Sequence, residues 1–319
     1  MKKLPFHVIS YTVNDPRAAR GGVETFASRL RLIFDKVTYM TPDSRDVGPV
    51  VRERLPVICD NHLVLDWPDG FPVVGFQHGV AAVKHAVTGT LGRWRLAKRQ
   101  QRAAKRDKVV WVACASWVGA TFGRLYGNHA SHIIPYTIDT AQFDARLDNE
   151  GSRLVLHDAR ETHKGSALVP RLARAFPEWT FEPLDCPLER VADRMRKARM
   201  FIHLSAYEGN SVVCNEAMAM NLPCFMTEVG LMRDEDRPND VWLIDAETAY
   251  CDPAALNREF RAFVSSLGER RYRPRDWILE HSTPEIARAG WKRVVAALES
   301  LSASSVASDA SDITSGQAQ

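Results

Sequence analysis

Short apolar runs and stretches of helical periodicity alternate along most of the chain. Runs at 6–10, 37–40, 57–59, 72–76, 109–113 and 132–135 have the length and continuity of buried parallel strands. Runs at 154–156, 179–183, 201–204, 224–226 and 241–244 repeat the pattern in the second half. Between them, apolar residues recur three and four apart over 25–34, 116–125, 166–176, 188–198, 211–220 and 253–267, which predicts amphipathic helices. Strand–helix alternation occurring twice predicts an α/β chain of two Rossmann-like, doubly wound domains. We place them at 1–145 and 150–280, joined by a polar linker at 146–152. Ser282-Thr283-Pro284 opens a last amphipathic helix, so 281–299 is set apart, and the Ser/Ala/Asp-rich residues 300–319 predict a disordered tail.

The stretch 201–227 carries the most chemistry. Its loop, with Glu208, Gly209 and Asn210, leads into a helix start at Ser211 and Val212, whose first backbone N–H groups form a ready anion site. Asn221 and Pro223 end that helix. Glu216 follows Glu208 by eight positions, roughly two turns, so both carboxylates lie on similar sides of the unit. A carboxylate beside an anion site suits a neutral polyol, whose hydroxyls donate to it. Phosphate on the amides and hydroxyls on the carboxylates together describe a nucleotide sugar. The same pattern also fits a solvated helix start with two surface carboxylates.

Three other places add candidate groups. Gly21 and Gly22 precede the first helix, where glycine lets backbone approach a phosphate closely. His78 follows the strand at 72–76, at the carboxyl end where open α/β sheets bind ligands; His62 and His85 have weaker claims. Arg160 and Lys164 follow the strand at 154–156 and suit a diphosphate, Arg as a fork and Lys as a point charge. Each of these also has an ordinary reading, as loop glycines, a loop-bonded histidine and surface charge.

With Ser205, Glu208, Gly209, Glu216, Ala217, Ala219 and Pro223 in place, the segment resembles the nucleotide-sugar site of GT-B-fold retaining glycosyltransferases of the family 4 type, with their Glu-x7-Glu motif. Asn210, Ser211 and Asn221 depart from the family's Phe, Gly and Gly. Elsewhere Gly21-Gly22-Val23-Glu24, His78-Gly79, Pro135 with Asp139 and Phe143, and Arg160 with Lys164-Gly165 resemble further family segments, although one residue is missing between Arg160 and Lys164. The resemblance implies a cleft between two domains, with a C-terminal helix crossing back to the first. It implies a donor held by Gly21, Gly22, Arg160, Lys164, Glu208, Gly209, Asn210, Ser211, Val212 and Glu216. His78, Glu208, Lys164 and Arg160 would then stand at the reacting sugar and leaving diphosphate, and no cofactor or metal would be needed. It also implies a retaining transfer to a hydroxyl acceptor.

Composition bounds the rest. The 319 residues are 45% hydrophobic and 25% charged with a net charge of +3, which is globular and too weakly charged to dictate a partner. No apolar run approaches bilayer length, and the N-terminus lacks a signal-peptide core, so a cytoplasmic location is expected. Six scattered cysteines without a CxxC predict reduced thiols rather than disulfides or zinc. The segment 90–108 concentrates cations, among them Arg93, Arg95, Lys98, Arg99, Arg102, Lys105, Arg106 and Lys108. It reads either as a solvated face or as a dock for a polyanion, an anionic lipid surface or a nucleic acid. A lipid-linked or lipopolysaccharide glycan is the first expectation for the acceptor. A modified DNA base is the second, and a non-catalytic nucleotide-sugar-binding protein the third.

Overall fold

In the computed structural model the described residues are 2–18, 21–149 and 151–315, with side chains through 303. The chain divides into two compact units: one holds 1–82, 91–135 and 284–319, the other 83–90 and 136–283. Each is a parallel sheet with helices, as the alternation of apolar runs and periodic stretches predicts.

Among the described residues the first sheet contains β1 (Leu4–Tyr11), β2 (Phe34–Met40), β3 (Val57–Asp60), β4 (Val73–Gln77), β5 (Val109–Ala113) and β6 (His132–Ile133), in the order β2-β1-β3-β4-β5-β6. The second contains β7 (Leu154–His157), β8 (Thr180–Pro183), β9 (Met200–His203), β10 (Cys224–Thr227) and β11 (Trp242–Ile244), in the order β11-β10-β9-β7-β8. All pairings are parallel, including Leu156 with Phe201 and Phe201 with Cys224. In both sheets the chain first steps outward and then returns past its starting strand. The reversal falls between β1 and β3 in the first and between β7 and β9 in the second. At the carboxyl ends of such strands the loops diverge and leave a crevice.

β9 is buried throughout because both faces are covered, and this is why its sequence is a continuous run rather than an alternating one. The core of the second unit is aromatic: Phe260 packs edge-on to Phe176 and Phe225, with ring centroids 4.9 and 5.4 Å apart. In the first unit the fully buried Trp291, from the last helix, Pro284–Ser315, lies 5.7 Å from Phe34 and 6.0 Å from Phe76. That helix belongs to the first unit although the second unit precedes it in sequence.

Three boundaries differ from expectation. The expected linker 146–152 belongs to the second unit, which already includes the chain from 136 onward. Asp148 N–H donates to Arg196 O (2.8 Å), Asn149 Nδ2 to Ala198 O (2.7 Å) and Ser152 Oγ to Lys197 O (2.7 Å), which stitch it to the end of the helix Leu188–Lys197. The helix expected at 25–34 starts at Gly22 and ends at Arg29, because Phe34 already belongs to β2. The last helix runs past Ser300. Ser300 and Ser302 hydroxyls donate to the carbonyls of Ala296 and Leu298, four residues back, which lets serine sit in a helix. Residues 316–319 of the expected tail lie outside the described residues.

Trp291→Ala removes the aromatic centre of the first unit. It should cost about 3–5 kcal/mol of folding stability, read as a shift of the urea midpoint. A change below about 1 kcal/mol would show that the last helix is only loosely seated.

Candidate functional site

The reversal point of the second sheet gathers four ionisable side chains. Asp158 follows β7 and His203 ends β9, so the two face each other across the point where strand order reverses. His203 Nδ1 lies 2.7 Å from Asp158 Oδ1. Lys164, from the loop after β7, places its ammonium 3.3 Å from Asp158 Oδ2 and 3.3 Å from Glu208 Oε1. Glu208, from the loop after β9, brings Oε1 within 3.6 Å of His203 Nε2. Two carboxylates and two cationic groups thus alternate around one small space.

Two glycines allow the loops to come this close. Gly165 has φ +82°, and a Cβ there would lie 2.6 Å from Leu204 O, so only glycine lets the Lys164 loop lean on the end of β9. Gly230 has φ +63°, and a Cβ there would lie 2.9 Å from that of Glu208. Hydrogen bonds then lock the arrangement. Ala206 N–H donates to His163 O (2.7 Å), the Tyr250 hydroxyl to Leu204 O (2.8 Å), and Thr227 Oγ1 to Ser205 O (2.6 Å). The buried Ser205 hydroxyl donates to Tyr207 O (2.8 Å) and reaches Glu208 Oε1 at 3.4 Å.

Burial and charge set the protonation states. Burial alone would neutralise Asp158, but His203 and Lys164 outweigh it and hold the carboxyl well below its usual range. Burial likewise opposes charge on His203, and Asp158 overrides it, lifting the imidazole well above its ordinary value. Lys164 is raised against burial by Glu208 and Asp158. The result is a pre-neutralised quartet. Asp158, His203 and Glu208 also each offer one ligand atom within 4.8 Å of the others, spacing that a cation could use. Lys164 already supplies a cation to both carboxylates, and Nδ1 of His203 is committed to Asp158, so a metal ion would have to displace the ammonium and a proton.

A small pocket, partly open to solvent, is lined by the polar residues His203, Glu208, Asn210, Ser211 and Asn215, by Cys214, and by the apolar Met226, Val229, Leu231 and Met232. The helix Val212–Ala219 starts at its wall. Ser211 is the N-cap, its Oγ accepting from Cys214 N–H at 3.4 Å. Asn215 Nδ2 donates to Asn210 Oδ1 (3.0 Å). Of the residues predicted to bind a donor, Lys164, Glu208, Asn210, Ser211 and Val212 gather around this opening, with Gly209 between two of them in sequence. Glu216 is buried on the same helix, while its neighbour Asn215 lines the pocket. Arg160 is not brought to Lys164: its guanidinium is 61% exposed and pairs with Asp185 at 3.3 Å. Asp158 and Asn215, which the sequence reading passed over, and His203, which it counted as part of an apolar strand, are central here. The signal for the last was a histidine at the carboxyl end of a strand, the same feature that singled out His78.

The first unit holds a second acid–histidine pair. His78 follows β4, and its Nε2 lies 2.9 Å from Oδ1 of Asp60, the last residue of β3. Both side chains are almost fully buried. His78 N–H donates to Asn61 Oδ1 (3.1 Å), and its ring packs on Phe76 (4.8 Å) and Phe26 (5.1 Å). Gln100 holds the loop: its amide donates to Gln77 Oε1 (2.5 Å) and Gly79 O (2.9 Å). Burial raises the Asp60 carboxyl despite His78, and Glu24 adds to the rise. Gly21 N-caps the first helix in extended backbone, and a Cβ on it would lie 2.4 Å from Glu24 Oε2; Gly22 begins the helix. The Glu24 carboxylate thus folds over that helix start and accepts from Asn14 Nδ2 at 2.8 Å. His62 is buried and its Nδ1 makes no hydrogen bond, and His85 Nδ1 donates to Thr90 O (3.1 Å).

All six cysteines are free; Cys59, Cys114, Cys214 and Cys224 are buried, as expected for core thiols, whereas Cys186 is partly exposed and Cys251 exposed. Among the described residues no helix is long and apolar enough to cross a membrane.

No family model and no curated protein matches the sequence. Solved structures do match it. Sucrose-phosphate synthase from Thermosynechococcus elongatus has a TM-score of 0.69 at 15% identity, over 92% of this chain and 99% of that one. HepE from Anabaena, in complex with UDP-glucose, has a TM-score of 0.65 at 14% identity, over 92% and 99%. A glycosyltransferase from Rickettsia africae has a TM-score of 0.63 at 10% identity, over 93% and 98%. The fold is thus that of GT-B glycosyltransferases, two Rossmann-like units with a C-terminal helix.

The quartet makes a pH prediction. His203, raised above 6.5, contributes stability that is full below pH 6.5 and is lost as pH rises through its folded value. Asp158, lowered below 3.8, contributes stability that is full above pH 3.8 and is lost as pH falls through its folded value. His203→Asn keeps an amide beside Asp158 but carries no charge. The melting temperature lost in this variant should be largest between these two values and shrink toward alkaline pH. A loss that does not vary with pH would contradict the ion pair.

Proposed function

We propose that this chain is a glycosyltransferase that binds a nucleotide-diphosphate sugar in its second unit and transfers the sugar to a hydroxyl acceptor. The observation that carries the reading is the convergence of Lys164 and Glu208, from two different loops, beside a helix N-terminus and at one open pocket on the sheet's reversal point. Loop amides and an ammonium suit the phosphates, and a carboxylate suits sugar hydroxyls. Lys164 stabilises charge on the leaving diphosphate as the glycosidic bond breaks. Glu208, already paired with Lys164 and close to His203, serves as a hydroxyl acceptor and not as a nucleophile. The attacking hydroxyl then comes to the face the diphosphate leaves, and a leaving phosphate oxygen takes its proton, so that anomeric configuration is retained. Glu216 is assigned to the nucleotide ribose. HepE, a neighbour in fold, is described with UDP-glucose bound, which supports a nucleotide-sugar donor here.

The acceptor is assigned to a lipid-linked glycan of cell-surface lipopolysaccharide or polysaccharide, on an exposed basic face. The helix Leu91–Ala103 has no acidic residue, and it presents Leu91, 59% exposed, and Trp94, 46% exposed, among its cations. A solvent-facing tryptophan beside leucine on a basic helix suits the headgroup boundary of an anionic bilayer better than a duplex, whose phosphates need only the cations.

Two measurements follow. In a thermal-shift panel of UDP-, GDP- and ADP-glucose, at least one should raise the melting temperature by mass action, and Lys164→Ala should then cut cleavage of that donor by about 10²–10³-fold. Near-normal cleavage in the variant removes the role of Lys164. Co-sedimentation should show binding to vesicles rich in phosphatidylglycerol and not to phosphatidylcholine, with Trp94→Ala weakening it. Salt-sensitive binding to duplex DNA in preference to both vesicles would select a nucleic-acid acceptor.

A further inference from the structure

Of the buried polar atoms of the second unit that make no hydrogen bond, two, on His203 and Asn215, belong to residues that line the same pocket. His203 Nε2 and Asn215 Oδ1 are each inaccessible and make no hydrogen bond, Nε2 having only the Glu208 carboxylate 3.6 Å away, on side chains that are otherwise engaged. His203 is tied through Nδ1 to Asp158, and Asn215 through Nδ2 to Asn210. Their remaining atoms are therefore fixed in position. A buried polar group without a bond is costly, so such groups carry a partner in the working state.

Their chemistry is complementary. With Nδ1 on a carboxylate and the ring protonated, Nε2 presents an N–H. The Asn215 oxygen accepts only. A hydroxyl accepts from one and donates to the other, and on a bound sugar it would take the place that water fills without a ligand. Glu208 Oε1, 3.6 Å from Nε2, provides an acceptor for a neighbouring hydroxyl. A carboxylate or phosphate in the same place would meet Glu208 and Asn215 Oδ1 with like polarity. Met226, Val229 and Leu231, which also line the pocket, add apolar surface next to these groups.

We propose that His203 Nε2 and Asn215 Oδ1 form a two-point reader for a hydroxyl of the transferred sugar, which makes both residues specificity determinants for a neutral, hydroxyl-bearing glycosyl group. The assignment rests on the donor-site reading above. Asp158 is then a positioning residue: it fixes the imidazole ring without touching the sugar.

The test compares a free nucleotide with its sugar conjugates. The full chain is titrated calorimetrically with UDP, GDP and ADP, and with their glucose, galactose and N-acetylglucosamine conjugates, and the best conjugate is compared with its own nucleotide. Asn215→Leu keeps the shape but removes the acceptor. His203→Asn keeps an amide at Asp158 but deletes the Nε2 position. Asn215→Leu should weaken the conjugate by about five- to tenfold, the scale of one buried hydrogen bond, and leave the free nucleotide unchanged, whereas His203→Asn, which also alters the partners of Asp158 and Lys164, should weaken the conjugate by several-fold more than the free nucleotide. His203→Gln, which can place a donor where Nε2 lies, should recover part of the loss. If His203→Asn binds the conjugate as the wild type does, the histidine is only structural and the reader is wrong. Equal losses for nucleotide and conjugate would mean a collapsed pocket, and would also overturn it. A wild type that binds the nucleotides but gains nothing from any sugar rejects the reader and leaves the nucleotide site standing. A wild type that binds none of the ligands removes the donor-site reading, and the reader with it.

Discussion

The second unit is built around a carboxylate that cannot reach water. Asp158 is buried at the point where strand order reverses, and an isolated charge there would cost several kcal/mol. The protein answers with two cations rather than by protonating the acid. His203 comes from the adjacent strand and Lys164 from the loop that Asp158 itself begins. Satisfying one charge therefore fixes the end of β9, the Lys164 loop and, through Lys164, the Glu208 loop. The pocket wall is a consequence of that compensation. Its residues are held before any ligand arrives, and little ordering remains to be done on binding.

Both units place an acid–histidine pair at the carboxyl ends of their strands, yet the two pairs are tuned in opposite directions. Asp158 has an ammonium as well as an imidazole and stays charged. Asp60 has the imidazole of His78 but also faces the field of Glu24, and burial raises its carboxyl. One environment stabilises fixed charge and the other favours retention of a proton.

Much of the fold was legible in the sequence. Runs such as those at 57–59 and 224–226 have no polar alternation because both faces of each strand are covered, and their spacing by helical stretches leaves parallel pairing as the simplest outcome. Glu208 and Lys164 were legible as loop residues beside glycines. What stayed hidden was the inward turn of charge. His203 stands at the end of an apolar run and reads as part of it. Asp158 follows His157 in a loop where an acid is commonplace. Nothing local shows that they meet, because the meeting depends on β7 and β9 being neighbours although β8 separates them in sequence. Arg160 shows the converse. Its guanidinium pairs with Asp185 at the surface, and the missing residue before Lys164 is the one local sign in the sequence that the two cations do not act as a pair.

The most direct test is a crystal structure of the chain with the nucleotide sugar that stabilises it best. The account predicts the diphosphate at the start of the helix Val212–Ala219 and beside Lys164, with a sugar hydroxyl within hydrogen-bond distance of both His203 Nε2 and Asn215 Oδ1. A sugar that lies outside this pocket, with Lys164 still closed on Asp158 and Glu208 and making no contact with the ligand, would contradict it.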